Sequence, residues 1–578
     1  MQRPPGTTMI RYWAAACVLL GLHGNPAAAE DWFVEAYFSD RAAIDRLGAS
    51  FQHLQIDEAR GVVRVDTDEN GIRLLEQAGL DVRIDMVSSA KLRAFYAPAD
   101  VPQSIPGFAC YRTVEEARDS LDALVAAHPD LASLQDIGPT WEKEKNPAAG
   151  YEMRALRITN LATVAQDPDR PRMVMYGSIH AREYTPAELL NRMAEGLVAG
   201  YGVDPLSTWL VDHVDFRFIV HANPDGRKRA ETGIGWRKNT NVDDAFCPGT
   251  PTSFSQPGVD LNRNFPFHWS GSGGSSTQAC EQTFRGPAAG SEPETRNLLA
   301  YTVGTCDGSG NCSGGALPDR RAESLSSPAP EDYSGLFFDV HSYSQLVLWP
   351  WGDVSTEAPN GPSLRRLGRR LAWFNDYWPM PSIGLYPTRG STVDTIYGYV
   401  GAAAYTIELG VDFFEDCSEF ETATLPHNLS ALLYAARAAR RPYQWPQGPD
   451  ARGITADTAR VPAGSAVTLR ATIDDTRYNH DNGNETTYAI TGALAYVDLP
   501  PWHPDAAGLP MTASDGSFNA MTEAVEVTIP TAGLAPGKHL VWVQGKNARN
   551  GGTIGTPDAV FVEILADDTL FADDFETQ

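Results

Sequence analysis

The stretch GSIHAREYTPAELL, residues 177–190, sets His180 and Glu183 just past an apolar run and just before Pro186, where a helix is expected to begin. An imidazole and a carboxylate at such a strand-to-helix turn can converge on one ion, and that pair of donors suits zinc. Two ligands do not close a tetrahedral site, and a catalytic site takes three from the protein and keeps one position for water. His341 is the candidate third ligand. It also ends an apolar strand, LFFDVH, and strand ends along one edge of an α/β sheet meet in a crevice. By itself an HxxE pair is a weak signal, because strand-end histidines and glutamates in a first helical turn are common for structural reasons alone.

Further segments sharpen it: HAREY (180–184), NPDG (223–226), WRK (236–238), GVDLNRNF (258–265), GPAAGSEPET (286–295), HSYSQLVLWPWG (341–352), YPTRGSTVD (386–394) and YTIELG (405–410). In this order they resemble the zinc carboxypeptidase family that includes pancreatic carboxypeptidase A. The likeness is closer to its secreted bacterial relatives of the carboxypeptidase T type, and it covers roughly Tyr111 to Arg437. The resemblance implies His180, Glu183 and His341 as ligands of one zinc per chain, with Asp260 orienting His180 from behind. It implies Glu408 of TIELG as general base, and the chemistry asks for such a group, because a zinc-activated water must lose its proton to something. It implies Arg237 as the charge that polarises the scissile carbonyl. Asn262 and Arg263 match the pair that grips a substrate's terminal carboxylate, where a guanidinium offers two parallel donors to two oxygens.

Tyr386 matches a tyrosine that closes over bound substrate, and Arg182 and Tyr343 fall at subsidiary substrate contacts. Val393 falls at the floor of the pocket for the terminal side chain, so apolar or aromatic C-terminal residues are expected. A one-residue slip would put Asp394 there and favour basic ones. The implied activity is hydrolysis of the last peptide bond of peptides and proteins. Two rivals are a same-fold amidohydrolase acting on cell-wall peptides, against which Asn262, Arg263 and Tyr386 speak, and a non-catalytic zinc-site binding protein, against which Glu408 and Arg237 speak.

The elements that must position these groups are legible from periodicity. Apolar strands at 172–179, 215–221, 336–341 and 402–408 alternate with helical patterns at 186–199, 292–303 and 362–373, which gives an α/β catalytic domain with a mixed sheet over residues 105–442. Thr113 and Glu116 have capping-box spacing at its first helix. Upstream, residues 32–84 read strand–helix–strand–strand–helix–strand, a small ferredoxin-like βαββαβ unit. With a connector rich in Ser, Ala and Pro between Val87 and Pro106, it makes a pro-segment over residues 30–104 that resembles the family's inhibitory one. Beyond the run RRPYQWPQGPDARG the helical patterns stop. Strict alternation at Val467, Leu469, Ala471, Ile473 and at Val525, Val527, Ile529 predicts a β-sandwich over residues 443–566, with Trp502 and Trp542 read as core rather than as sugar platforms. An acidic tail, 567–578, closes the chain.

Length and composition agree with several modules: 578 residues at about 150 per domain suggest three or four, and 42% apolar residues suffice for sizeable cores. Residues 1–29 read as an export signal, with Arg11, an apolar stretch from Trp13 to Leu22 and Ala27–Ala29 before the expected cut. Those ten apolar residues are about half of a membrane span. The expected location is therefore extracellular or periplasmic. Apart from Cys17 there are six cysteines, an even number that permits disulfides in an exported protein. By the resemblance Cys247 pairs with Cys280. Cys306 and Cys312 can close a small loop, which leaves Cys110 and Cys417. Net charge is −27, and −29 without the signal, a surface that repels nucleic acid and anionic lipid. Peptide substrates, no nucleic acid, no membrane span and a monomer are expected, with calcium sites on the acidic surface left open.

Overall fold

The computed structural model describes residues 32–47, 51, 54–57, 60–67, 69–84, 104–321 and 326–566. The export signal, most of the connector and the acidic tail lie outside them. At the N-terminal end β1 (Trp32–Tyr37), α1 (Arg41–Leu47), β2 (Gln55–Asp57), β3 (Val62–Thr67), α2 (Glu69–Gln77) and β4 (Asp81–Ile84) follow one another. The sheet order is β2-β3-β1-β4, the antiparallel arrangement of a ferredoxin-like unit. Val34, Ala36, Val63 and Val65 alternate inward along the strands and, with Ile44 and Leu75 of the helices, form its core.

The domain that follows is built on an eight-stranded mixed sheet. Its strands are β5 (Ala132–Pro139), β6 (Glu152–Ile158), β7 (Arg172–Gly177), β8 (Asp215–Ile219), β11 (Leu336–Ser342), β12 (Leu346–Trp349), β13 (Trp378–Pro381) and β14 (Ala403–Leu409), in the order β13-β12-β14-β11-β7-β8-β6-β5. The small ribbon β9 (Gly304–Cys306) and β10 (Cys312–Gly314) stands apart. The four central strands β14, β11, β7 and β8 are parallel, and every residue of β11 and β14 is buried. Helices cover both faces of such a sheet, which is why these strands read as unbroken apolar runs.

Those helices are α3 (Val114–Ala127), whose capping box of Thr113 and Glu116 is formed, then α4 (Thr185–Gly200), α5 (Pro205–His213), α6 (Pro224–Ala230), α7 (Pro293–Thr302), α8 (Gly361–Asn375), α9 (Thr392–Val400) and α10 (Leu425–Ala438). The chain leaves β7 toward β8 on one side and leaves β11 toward β14 on the other. The crevice at that switch lies between the C-terminal ends of β7 and β11, where His180 and His341 stand.

The C-terminal strands form sheets of four and six strands whose inner faces, among them Val467, Leu469, Ile473, Val525 and Ile529, make a second core. Trp542 is buried in the boundary with the eight-stranded domain, and Trp502 packs there against Trp209 and Trp445 with ring centroids 6.2 and 5.9 Å away. Buried polar contacts cross the boundary as well. Arg370 of α8, fully buried, donates to Asp450 Oδ2 (2.9 Å), Tyr478 Oη (2.8 Å) and the carbonyls of Pro446 (2.9 Å) and Gly448 (2.6 Å). Arg437 of α10 donates to the carbonyls of Ala451 and Pro557 at 2.8 and 2.9 Å. Among the described residues no helix is long and apolar enough to cross a membrane.

Candidate active site

His180 Nδ1 lies 2.7 Å from Glu183 Oε1 and 3.0 Å from His341 Nδ1, which is itself 3.1 Å from Glu183 Oε2. The outer nitrogens face carboxylates: His180 Nε2 is 3.2 Å from Asp260 Oδ1, and His341 Nε2 is 2.9 Å from Asp339 Oδ2. A carboxylate accepts and does not donate, so each aspartate holds the ring proton on Nε2 and leaves the Nδ1 lone pair pointing inward. Two lone pairs and a carboxylate then face one another in a buried space, an arrangement that a cation reconciles. Ligand atoms of His180, Glu183 and His341 all lie within 4.8 Å of one another, and two imidazoles with one carboxylate form a donor set that fits zinc. Burial would raise the Glu183 carboxyl, but the neighbouring His180 and His341, when protonated in place of a cation, hold it well below its usual range.

Asp339 escaped the sequence reading. Its signal was present in FDVH: a charged residue two before His341 in a buried strand shares a face with it.

Asp260 is tied on three sides. Its Oδ1 accepts from the Asn262 amide at 3.0 Å as well as facing His180, and its Oδ2 accepts from Arg237 Nη2 at 2.8 Å and Nε at 3.2 Å. Burial opposes its charge, but Arg237 and then His180 keep the carboxyl well below the usual carboxylate range. Arg237 is fully buried, and its Nη1 stands 3.9 Å from Glu183 Oε1. The strand that carries His341 also brings in Glu408, because β11 and β14 run parallel in a register that pairs His341 with Glu408 and Asp339 with Thr406.

One cleft is lined by His180, His341, Asn262, Arg263, Glu408 and Val393, together with Leu348, Ser382, Leu385, Tyr386, Thr388, Ser391 and Thr406. Of the residues singled out in the sequence, it gathers His180 and His341, Glu408, Asn262 and Arg263, Tyr386 and Val393. Asn262 Oδ1 accepts from the Thr392 amide at 2.9 Å, and Arg263 Nη1 donates to the Asn262 carbonyl at 2.6 Å. Val393 faces the cleft. Asp394 does not, because its carboxylate accepts from the Gly352 amide at 2.9 and 3.1 Å. Tyr386 is buried in a cluster with Leu346, Leu348 and Leu385. Arg182 and Tyr343 meet on the Phe413 ring instead of lining the cleft: the guanidinium sits 3.9 Å above it and the Tyr343 ring centroid is 4.8 Å away.

The N-terminal unit touches this mouth. Arg41 donates to the Leu385 carbonyl at 2.7 Å and the Gly384 carbonyl at 3.1 Å, Ile56 packs against the Tyr386 cluster, and Phe51 packs at a tilt against Phe254 with centroids 5.2 Å apart. Disulfides join Cys247 to Cys280 on either side of the NRN turn, Cys306 to Cys312 across β9 and β10, and Cys110 to Cys417.

Residues 117–422 match the family model described as zinc carboxypeptidase. Zinc carboxypeptidase A 1 of Anopheles gambiae is 29% identical over 316 residues, 52% of this chain and 60% of that protein. Carboxypeptidase A1 of Rattus norvegicus is 28% identical over 329 residues, 56% of this chain and 65% of that protein. The matches thus span less than two thirds of the length of these curated relatives. Among solved structures, the carboxypeptidase A from Helicoverpa armigera superposes with a TM-score of 0.53 at 20% identity, over 72% of this chain and 99% of that one, a likeness of fold.

Proposed function

Because the chain belongs to the zinc carboxypeptidase family, we propose that it is an exported zinc metallocarboxypeptidase that hydrolyses the C-terminal peptide bond of peptides and proteins. The observation that carries this reading is the convergence of His180, Glu183 and His341 beside Glu408, in a cleft that also holds Asn262 and Arg263. The first three residues would hold a zinc ion, which when bound would supply a Lewis acid that makes a water acidic near neutral pH. Glu408, one strand over from His341, takes the proton of the attacking water and returns it to the leaving amine. Arg237 draws charge onto the scissile carbonyl oxygen from a dry, fixed position, where such a charge acts most strongly.

Arg263 and Asn262 hold the terminal carboxylate, which makes the last peptide bond the one presented. Tyr386 closes over the bound residue, and Arg182 and Tyr343 support the wall on the upstream side through Phe413. Val393, with Leu348 and Leu385 near it, favours an apolar or aromatic terminal side chain. The turn of Asp394 toward Gly352 speaks against a basic preference.

The N-terminal unit acts in this reading as an inhibitory pro-segment. Its contacts on Leu385 and on the Tyr386 cluster support that role, because they hold the mouth in one arrangement. Export is supported by the three disulfides, which persist in oxidising compartments. The test is release of C-terminal Phe, Leu, Arg or Glu from blocked dipeptides by the purified chain, before and after proteolysis in the connector. Release of Phe and Leu that rises on proteolysis and stops with a chelator is the expected result, while preferential Arg release overturns the pocket assignment.

A further inference from the structure

Asp339, which the reaction described above does not use, lies at the centre of a buried polar network that includes His341 and Asn262. Its side chain is fully buried in the middle of β11, where charge is costly unless it is used. Oδ2 accepts from His341 Nε2 at 2.9 Å and from the Thr392 hydroxyl. Thr392 in turn donates its amide to Asn262 Oδ1 at 2.9 Å, and Asn262 Nδ2 lies 3.2 Å from the same His341 Nε2. Two groups therefore compete for one ring nitrogen. The Asp339 carboxylate is an acceptor and calls for a proton on Nε2, which leaves Nδ1 bare toward Glu183 and His180. The Asn262 amide is a donor and calls for a bare Nε2, which puts the proton on Nδ1, where a metal ligand must have none.

We propose that Asp339 is the positioning residue of His341. It sets the ring's tautomer and orientation for metal binding as Asp260 does for His180, and through Thr392 it ties that ligand to Asn262 and to the first turn of the helix carrying Val393. The geometry supports the second half independently. Thr392 is the first residue of α9 and Val393 the next, so the hydroxyl that meets Asp339 and the amide that meets Asn262 fix the start of the pocket floor to the metal ligand. The proposal rests on zinc occupying the site of His180, Glu183 and His341.

The test measures zinc affinity by competition with a chromophoric chelator in the full chain and in Asp339→Asn, Asp339→Ala and Thr392→Val, each with its unfolding temperature. Both Asp339 variants are expected to bind zinc about 10–100-fold more weakly than the parent, the loss typical of removing a partner behind a ligating histidine. Thr392→Val changes no charge and is the variant safest for folding. It is expected to shift zinc affinity in the same direction by a smaller factor and to raise KM for a C-terminal Phe substrate. Zinc affinities of the folded Asp339→Asn and Thr392→Val chains within about threefold of the parent overturn the proposal. A parent that binds no zinc brings down the metal-site reading and this inference with it. A parent that binds zinc but releases no C-terminal residue contradicts the peptidase reading and leaves the role of Asp339 to be decided by the affinities.

Discussion

At the scale of single residues, the site is a set of buried charges, each answered by another. Glu183 is answered by the two histidines, Asp260 by Arg237 and His180, and Asp339 by His341 and Thr392. The pocket proposed for the terminal side chain, by contrast, has an apolar floor: Val393 faces the cleft, and the nearest acid in sequence, Asp394, is turned to the Gly352 amide. Substituting Val393→Asp is therefore expected to invert the preference, raising kcat/KM for C-terminal Arg over Phe by more than about tenfold, since a buried carboxylate rejects an apolar partner and pairs with a guanidinium. A ratio of kcat/KM values for the two substrates that stays as in the parent tells against Val393 as the floor. Most of these residues were legible because they stand in short motifs of unusual composition. Asp339 was not, because one acid in an apolar strand has no motif of its own and is recognised only by the side chain it faces.

At the scale of elements, register does what no single motif can. β11 and β14 each carry polar groups at alternate positions, Asp339 and His341, Thr406 and Glu408, and parallel pairing brings them side by side. The central strands and long helices were legible from their apolar periods. The edge strands β5 and β13, and β12 between β13 and β14, were not, because they are short or mixed in composition and owe their pairing to neighbours. The first turn of α9 yields a pH prediction. Burial raises Asp394 from 3.8 to about 7, against the pull of the Gly352 amide. Between those values the unfolded chain has lost a proton that the folded chain keeps, so this group's contribution to stability is present below pH 3.8 and is lost as pH rises toward 7. Relative to Asp394→Asn, the parent's unfolding temperature is expected to fall across that window and to run parallel to it below. Parallel curves throughout contradict the assignment.

At the scale of the whole molecule, the three modules are joined in different ways. The N-terminal unit meets the mouth of the cleft through Arg41, Phe51 and Ile56, and the Arg41–Leu385 contact joins residues 344 apart that no local pattern announces. The sandwich is joined through the buried Arg370 and Asp450, whose pairing was equally illegible, since an arginine in an amphipathic helix reads as surface. Arg370→Met leaves Asp450 buried without its main partner and is expected to destabilise the chain by ~3–5 kcal/mol in denaturant unfolding. A loss below about 1 kcal/mol implies that the sandwich is not held by this pair. The central claim is that one buried site binds zinc and that Glu408, beside it, moves the proton of hydrolysis. Its most direct measurement is zinc content and C-terminal Phe release in the activated parent and in Glu408→Gln. The account expects one zinc in both proteins and release lower by at least about 10²-fold in the variant. Zinc bound in both with equal release contradicts it.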